Sequence, residues 1–137
     1  MTNNSPALTA FFHDFERNSS SGDPTSIAAL FADTFLAAGP EGSHAITAPQ
    51  FAVIVQKRRQ LFRGKGHRST HLISVAERPL GERYLMADTV WSMIFDRPAG
   101  NSQEVTAEST FILDTASQPW KIVFYLAHHN PLEMLSD

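Results

Sequence analysis

The order of hydrophobic patterns constrains this chain most: stretches of helical period come first, and long strand-like runs follow. Leu8, Phe11, Phe12 and Phe15, then Ile27, Leu30 and Phe31, then Phe51, Ile54, Val55, Leu61 and Phe62 recur at helical spacing, which gathers apolar side chains on one face of each helix. Helices that precede a continuous antiparallel meander predict an α+β domain, because the sheet must curl around the helices to bury both apolar faces. Such a curl leaves a pocket at its open end.

Local signals set the boundaries. Ser5 before Pro6 reads as an N-cap with proline at the first helical position, and Asn18 to Asp23 ends that helix in a polar loop. Asp23-Pro24 starts a second helix by the same device, running to about Ala32. From Asp33 to Ile46 the pattern is strand-like, and Gly39-Pro40-Glu41-Gly42 breaks it into a short hairpin. Thr47-Ala48-Pro49-Gln50 fits a capping box, and the third helix runs to about Arg63 before Gly64 and Gly66 stop it. Strands follow over His67–Arg78, Glu82–Arg97, Gln103–Thr115 and Trp120–His129. The turns between them are short, which favours a meander over crossovers. His129 to Leu135 reads as a tail or a single helical turn.

Composition narrows the class. At 137 residues and 42% hydrophobic content the chain is sized for one domain with one core. A formal net charge of −3 and a pI near 6.0 argue against nucleic acid or an acidic membrane surface as partners. There is no cysteine, so disulfides, thiolate metal sites and thiol nucleophiles are absent. The first residues lack a basic segment followed by an apolar one, and no apolar run reaches the ~18 residues of a membrane span. A cytoplasmic protein with no cofactor is the expectation.

With this order of elements the chain resembles the NTF2-like (SnoaL-like) superfamily, the cone-shaped α+β fold. Gly22-Asp23, the helix ending Ile27-Ala28-Ala29-Leu30-Phe31-Ala32-Asp33 and the terminal strand Trp120-Lys121-Ile122-Val123-Phe124-Tyr125 carry the likeness locally. These motifs speak to fold and not to activity. The nearest enzyme template is similar to ketosteroid isomerase, whose chemistry needs a carboxylate base with a tyrosine and a protonated aspartic acid as oxyanion donors. Alignment on Gly22, Phe31 and Phe111 puts Phe15 at the tyrosine position, Gly39 at the base and Ser109 at the aspartic acid. A phenyl ring and a glycine move no proton, so the resemblance implies the fold without that reaction. The SnoaL-type cyclases use an inward aspartate, onto which no residue here maps.

Strand alternation predicts which residues face the pocket. With Ala99-Gly100 as a hairpin tip, Trp91 falls near Ser109 and Thr89 near Phe111. Carried through Gly81, the same face puts His71 near Thr89 and Ser69 near Trp91; across Ser117-Gln118, Phe124 falls near Phe111 and His128 near Ala107. The expected lining is therefore Ser69, His71, Thr89, Trp91, Ser109 and Phe111, with Phe124 and His128 from the last strand. Phe12 and Phe15 join from the first helix and Phe35 from the hairpin. That is a lining for an apolar small molecule with one or two polar handles. The opposite face carries Met86, Val90, Ile94, Ile112, Val123 and Tyr125, an apolar patch that predicts a homodimer through the sheets.

Each sharper reading has a plainer competitor. His71 is the candidate catalytic base, because imidazole titrates near neutrality; a hydrogen-bonded pocket wall is its plainer role. Asp33 reads as a turn residue. His128 and His129 are adjacent on a strand and point to opposite faces, and His13 with Glu16 lacks a third ligand, so no metal site is expected. Lys57, Arg58, Arg59, Arg63, Lys65 and Arg68 form a basic cluster, which a helix C-terminus favours through its dipole without any nucleic acid. Two functions stay open. One is a protein binding a small, largely apolar molecule in the cone pocket, with isomerase, cyclase or dehydratase-type chemistry as its activity. The other is a non-enzymatic, dimeric interaction or assembly module working through the outer sheet face.

Overall fold

The computed structural model describes residues 5–19 and 22–136; the first four residues and part of the polar loop after the first helix lie outside them. Three helices, α1 (Pro6–Ser19), α2 (Pro24–Ala28) and α3 (Ala48–Gly64), pack inside a curled sheet. The strands are β1 (Phe31–Gly39), β2 (Gly42–Thr47), β3 (His67–Leu80), β4 (Tyr84–Asp96), β5 (Ser102–Asp114) and β6 (Lys121–Ala127), and a single 3-10 turn, Pro131–Met134, follows.

The helices start where side chains satisfy their free N–H groups. Ser5 Oγ accepts from Leu8 N at 3.2 Å, and Asp23 Oδ1 accepts from Thr25 N at 2.9 Å. Thr47 and Gln50 form a reciprocal capping box. The second helix is shorter than its sequence pattern, ending at Ala28 instead of Ala32. The reason is tertiary: Leu30 O accepts from Ile122 N at 2.9 Å, and Phe31 pairs with Ile122, so β6 pulls the chain into a strand. Helix α3 ends at Gly64, and the turn that follows passes through Gly66, whose φ of +92° suits glycine. A Cβ there would sit 1.9 Å from the Asp96 carbonyl oxygen.

The strand order is β2-β1-β6-β5-β4-β3. Its neighbours are antiparallel except β1 and β6, which run parallel and join the N-terminal hairpin to the far end of the meander. β3 is an edge strand, and α1 lies along it. Glu16 Oε2 accepts from Leu72 N, and Glu77 Oε1 accepts from Ser5 N at 2.7 Å. The core is aromatic: Phe12 and Phe15 meet Phe111 at ring separations of 5.3 and 5.2 Å, and Phe31 meets Phe51 at 4.4 Å. Offset and edge contacts of this kind are the favoured aromatic geometries.

The β4–β5 register preserves the expected faces: Trp91 opposes Ala107 and Thr89 opposes Ser109, a slip of two residues that keeps every side chain on its side. The two flanking strands differ. β3 shifts register twice, between Leu72 and Ser74 and again between Ser69 and His67, and β6 once, between Ile122 and Phe124. Each irregularity puts one extra residue into the strand, which reverses the facing beyond it until the next one, so the second shift in β3 returns His67 to the side of Phe95. Leu72 therefore opposes Trp91, while His71 opposes Ser92 and Ser69 opposes Ile94. On β6, Tyr125 opposes Phe111, whereas Phe124 opposes Ile112.

Candidate functional site

The concave face of the sheet and the helices bound an open cavity of about 1040 Å³. Its floor is aromatic because the inward positions of β4, β5 and β6 bring Trp91, Phe111 and Tyr125 beneath Phe15 of α1. Phe15 lies 5.6 Å from Trp91, and the Tyr125 ring stacks on Phe111 at 5.1 Å and 6°. Trp91 is locked by the wall itself: its indole N–H donates to Thr89 Oγ1 at 2.8 Å, and that hydroxyl donates to Ser109 O at 2.9 Å.

Two polar atoms of this floor have no such partner. Ser109 and Tyr125 line the cavity, and neither hydroxyl has a hydrogen bond among the described residues. Half-buried polar groups left open to a cavity need a bound molecule or water to satisfy them.

His67 supplies the wall's titratable group. It starts β3 directly after the Gly66 turn, packs 5.3 Å from the Phe95 ring, and its Nε2 lies 2.7 Å from Thr70 Oγ1. Burial pushes its pKa below the ordinary imidazole value, against the opposing effect of a hydrogen bond with the Ser69 backbone. Burial therefore favours the neutral form of the His67 imidazole.

The sequence-derived lining divides into three groups. Phe15, Trp91, Ser109 and Phe111 border the cavity. Phe12, Phe35 and Thr89 point inward but are packed into the core behind it. Ser69, His71, Phe124 and His128 do not face it. The irregularities in β3 and β6 turn them to the convex side, so His71 is exposed and is not a base for this pocket. His128 lies instead with Asp88 and Thr110: Thr110 Oγ1 donates to Asp88 Oδ1 at 2.7 Å and sits 2.8 Å from His128 Nε2. Tyr125, assigned to the outer patch, is an inner residue for the same reason.

The expected lining omitted His67, Thr70 and Tyr125 among others. A faint signal exists in the adjacent apolar pair Leu72-Ile73, which breaks the alternation of β3. In β6 the unbroken run Ile122 to Leu126 carries no alternation at all, so its facing is unreadable. Phe15, Gly39 and Ser109, the three positions that depart from the isomerase pattern, all border the cavity. They bring neither a carboxylate nor a phenol to it. Among the described residues no group of three or more His, Asp or Glu side chains could hold a metal ion, and no helix is long and apolar enough to cross a membrane.

No protein-family model matches the sequence, and no curated protein does. Solved structures match throughout the chain. An NTF2-like protein with a cystatin-like fold from Novosphingobium aromaticivorans superposes with a TM-score of 0.74 at 10% identity, covering 96% of this chain and 88% of that one. The beta subunit of benzoate 1,2-dioxygenase from Burkholderia mallei gives 0.72 at 14% identity, covering 100% and 97%. A nuclear transport factor 2 (NTF2-like) superfamily protein from Salmonella enterica gives 0.63 at 19% identity, covering 88% and 86%. The chain has the NTF2-like, cystatin-like α+β fold.

Proposed function

We propose that this protein binds a small, largely apolar molecule in the cone. The observation that carries the reading is the cavity of about 1040 Å³ with an aromatic floor and two unpartnered hydroxyls, Ser109 Oγ and the Tyr125 hydroxyl. A core that merely sealed itself would have little reason to leave these groups half-buried and unsatisfied. Proton-transfer chemistry of the isomerase, cyclase or dehydratase kind, within the same proposal, falls to His67, the neutral imidazole in the wall. A chain without cysteine needs no oxidising compartment, and a cytoplasmic site of action belongs to the proposal.

The test is a titration with 4-phenylbutan-1-ol, followed by Trp fluorescence in a Trp120→Phe background so that Trp91 reports alone. Saturable binding that disappears in Ala107→Phe, which fills the space opposite Trp91 without adding a second indole, is the expected result. No saturation, or binding indifferent to the filled cavity, overturns the reading.

A second reading is favoured by the convex face. Met86, Ile112 and Phe124 lie in one line across β4, β5 and β6, with Val90, Ile94 and Leu126 beside them. All are half-exposed in the single chain. Apolar groups in that number, on one face, support self-association through the sheet. Val123 sits at the β6 irregularity.

A further inference from the structure

The cavity's apolar floor ends in a basic rim. Lys57, Arg58, Arg59, Arg63 and Arg68 line it, against three carboxylates, Glu41, Glu108 and Glu133. The excess of cations stands out on a chain whose formal net charge is −3.

Two of these cations are committed elsewhere. Arg59 donates to the carbonyls of Asn18 at 2.6 Å, Ser19 at 3.3 Å and Gly22 at 2.7 Å, tying α3 to the C-terminal end of α1. Arg68 lies 3.5 Å from Asp96. Lys57, Arg58 and Arg63 have neither an ion pair nor a hydrogen bond among the described residues. The helix dipole accounts for Arg63 in the last turn of α3. It does not account for Arg58, because the effect fades beyond that turn. Arg58 sits three residues after the buried Val55 and four before Phe62, which puts it on the stripe of α3 that faces the cavity.

We infer that the ligand is an amphipathic anion: an apolar body over Phe15, Trp91 and Phe111, and a carboxylate at the rim held by Arg58 and Arg63. The inference rests on the cone being the binding site. A guanidinium suits this role because its planar fork matches a carboxylate in a bidentate pair. The charged group stays at the solvent edge, where it keeps part of its hydration while the apolar body leaves water.

The experiment compares 4-phenylbutyrate with 4-phenylbutan-1-ol, which share the apolar body and differ in the charged end. In the wild-type chain the acid should bind about tenfold more tightly than the alcohol, and about 0.5 M salt should remove most of the difference. In the Arg58→Gln/Arg63→Gln double variant the two compounds should bind alike while the alcohol's affinity holds. Both side chains are exposed, so the variant should fold, and an unchanged far-UV CD spectrum checks this. Equal affinities in the wild type, or a preference for the acid that survives the double substitution, overturn the inference and leave the pocket standing. If neither compound binds, the pocket reading fails and the inference falls with it.

Discussion

The indole N–H of Trp91 donates to Thr89 Oγ1 at 2.8 Å, from a side chain two residues earlier on the same face of β4. Thr89 is itself tied to Ser109 O on β5, so one hydroxyl fixes the indole that floors the cavity. Thr89→Val keeps the shape of the side chain and strips the buried indole of its acceptor. The variant should lose about 1–3 kcal/mol of stability in urea unfolding. Thr89→Ser should recover most of the loss, because it restores the oxygen.

Gly66 sets where α3 hands over to β3 and hence where His67 enters the wall. Its backbone accepts from Asp96 N at 2.7 Å, and a Cβ would meet the Asp96 oxygen at 1.9 Å. Gly66→Ala should therefore cost about 4 kcal/mol or more, or prevent folding. Gly64→Ala, two residues earlier, meets nothing within 4 Å and should be neutral or stabilising by about 0.5–1 kcal/mol. Paired denaturation curves check both.

Burial lowers the pKa of His67 from 6.5. In the unfolded chain the imidazole protonates as pH falls through that value, while the folded one resists protonation to lower pH. The unfolded state therefore binds more protons in this window, and stability falls as the pH drops. The contribution is complete above the unfolded pKa and is lost between it and the lower folded value. His67→Gln should flatten the dependence of the urea midpoint on pH over that interval. An unchanged slope would assign it to another group. Asp23 and Asp114, whose pKa values are lowered from 3.8 chiefly by hydrogen bonds, act only at more acid pH.

Ile112 lies between Met86 and Phe124 on the convex face. Ile112→Glu puts a carboxylate in the middle of that patch. If the sheets pair, sedimentation should show the wild type as a dimer and the variant as a monomer with unchanged secondary structure. A variant that stays dimeric excludes this face.

The architecture was legible in the amino-acid order because its determinants are local. Thr47 with Gln50 specifies the start of α3, and Gly64 with Gly66 its stop. The turns near Gly81 and Gly100 cut the second half into strands of nearly the observed lengths. The facing of β4 and β5 was legible too, since the alternation around Trp91 and Ser109 is regular and a slip of two residues preserves it.

Three extra residues decided the rest. Arg68 and Ile73 in β3 and Val123 in β6 sit at register shifts. Ile73 exchanges His71 for Thr70 in the wall, Arg68 turns His67 back toward it, and Val123 exchanges Phe124 for Tyr125. Strand-forming preference is alike on both sides of such a shift, so the sequence alone determines that these segments are strands and not which way each side chain points. Packing chooses that: Glu16 holds β3 at Leu72, and the Phe111 ring takes Tyr125 against it. The same holds for Arg58, whose charge is plain in the sequence and whose place over the cavity exists only once α3 lies across the cone.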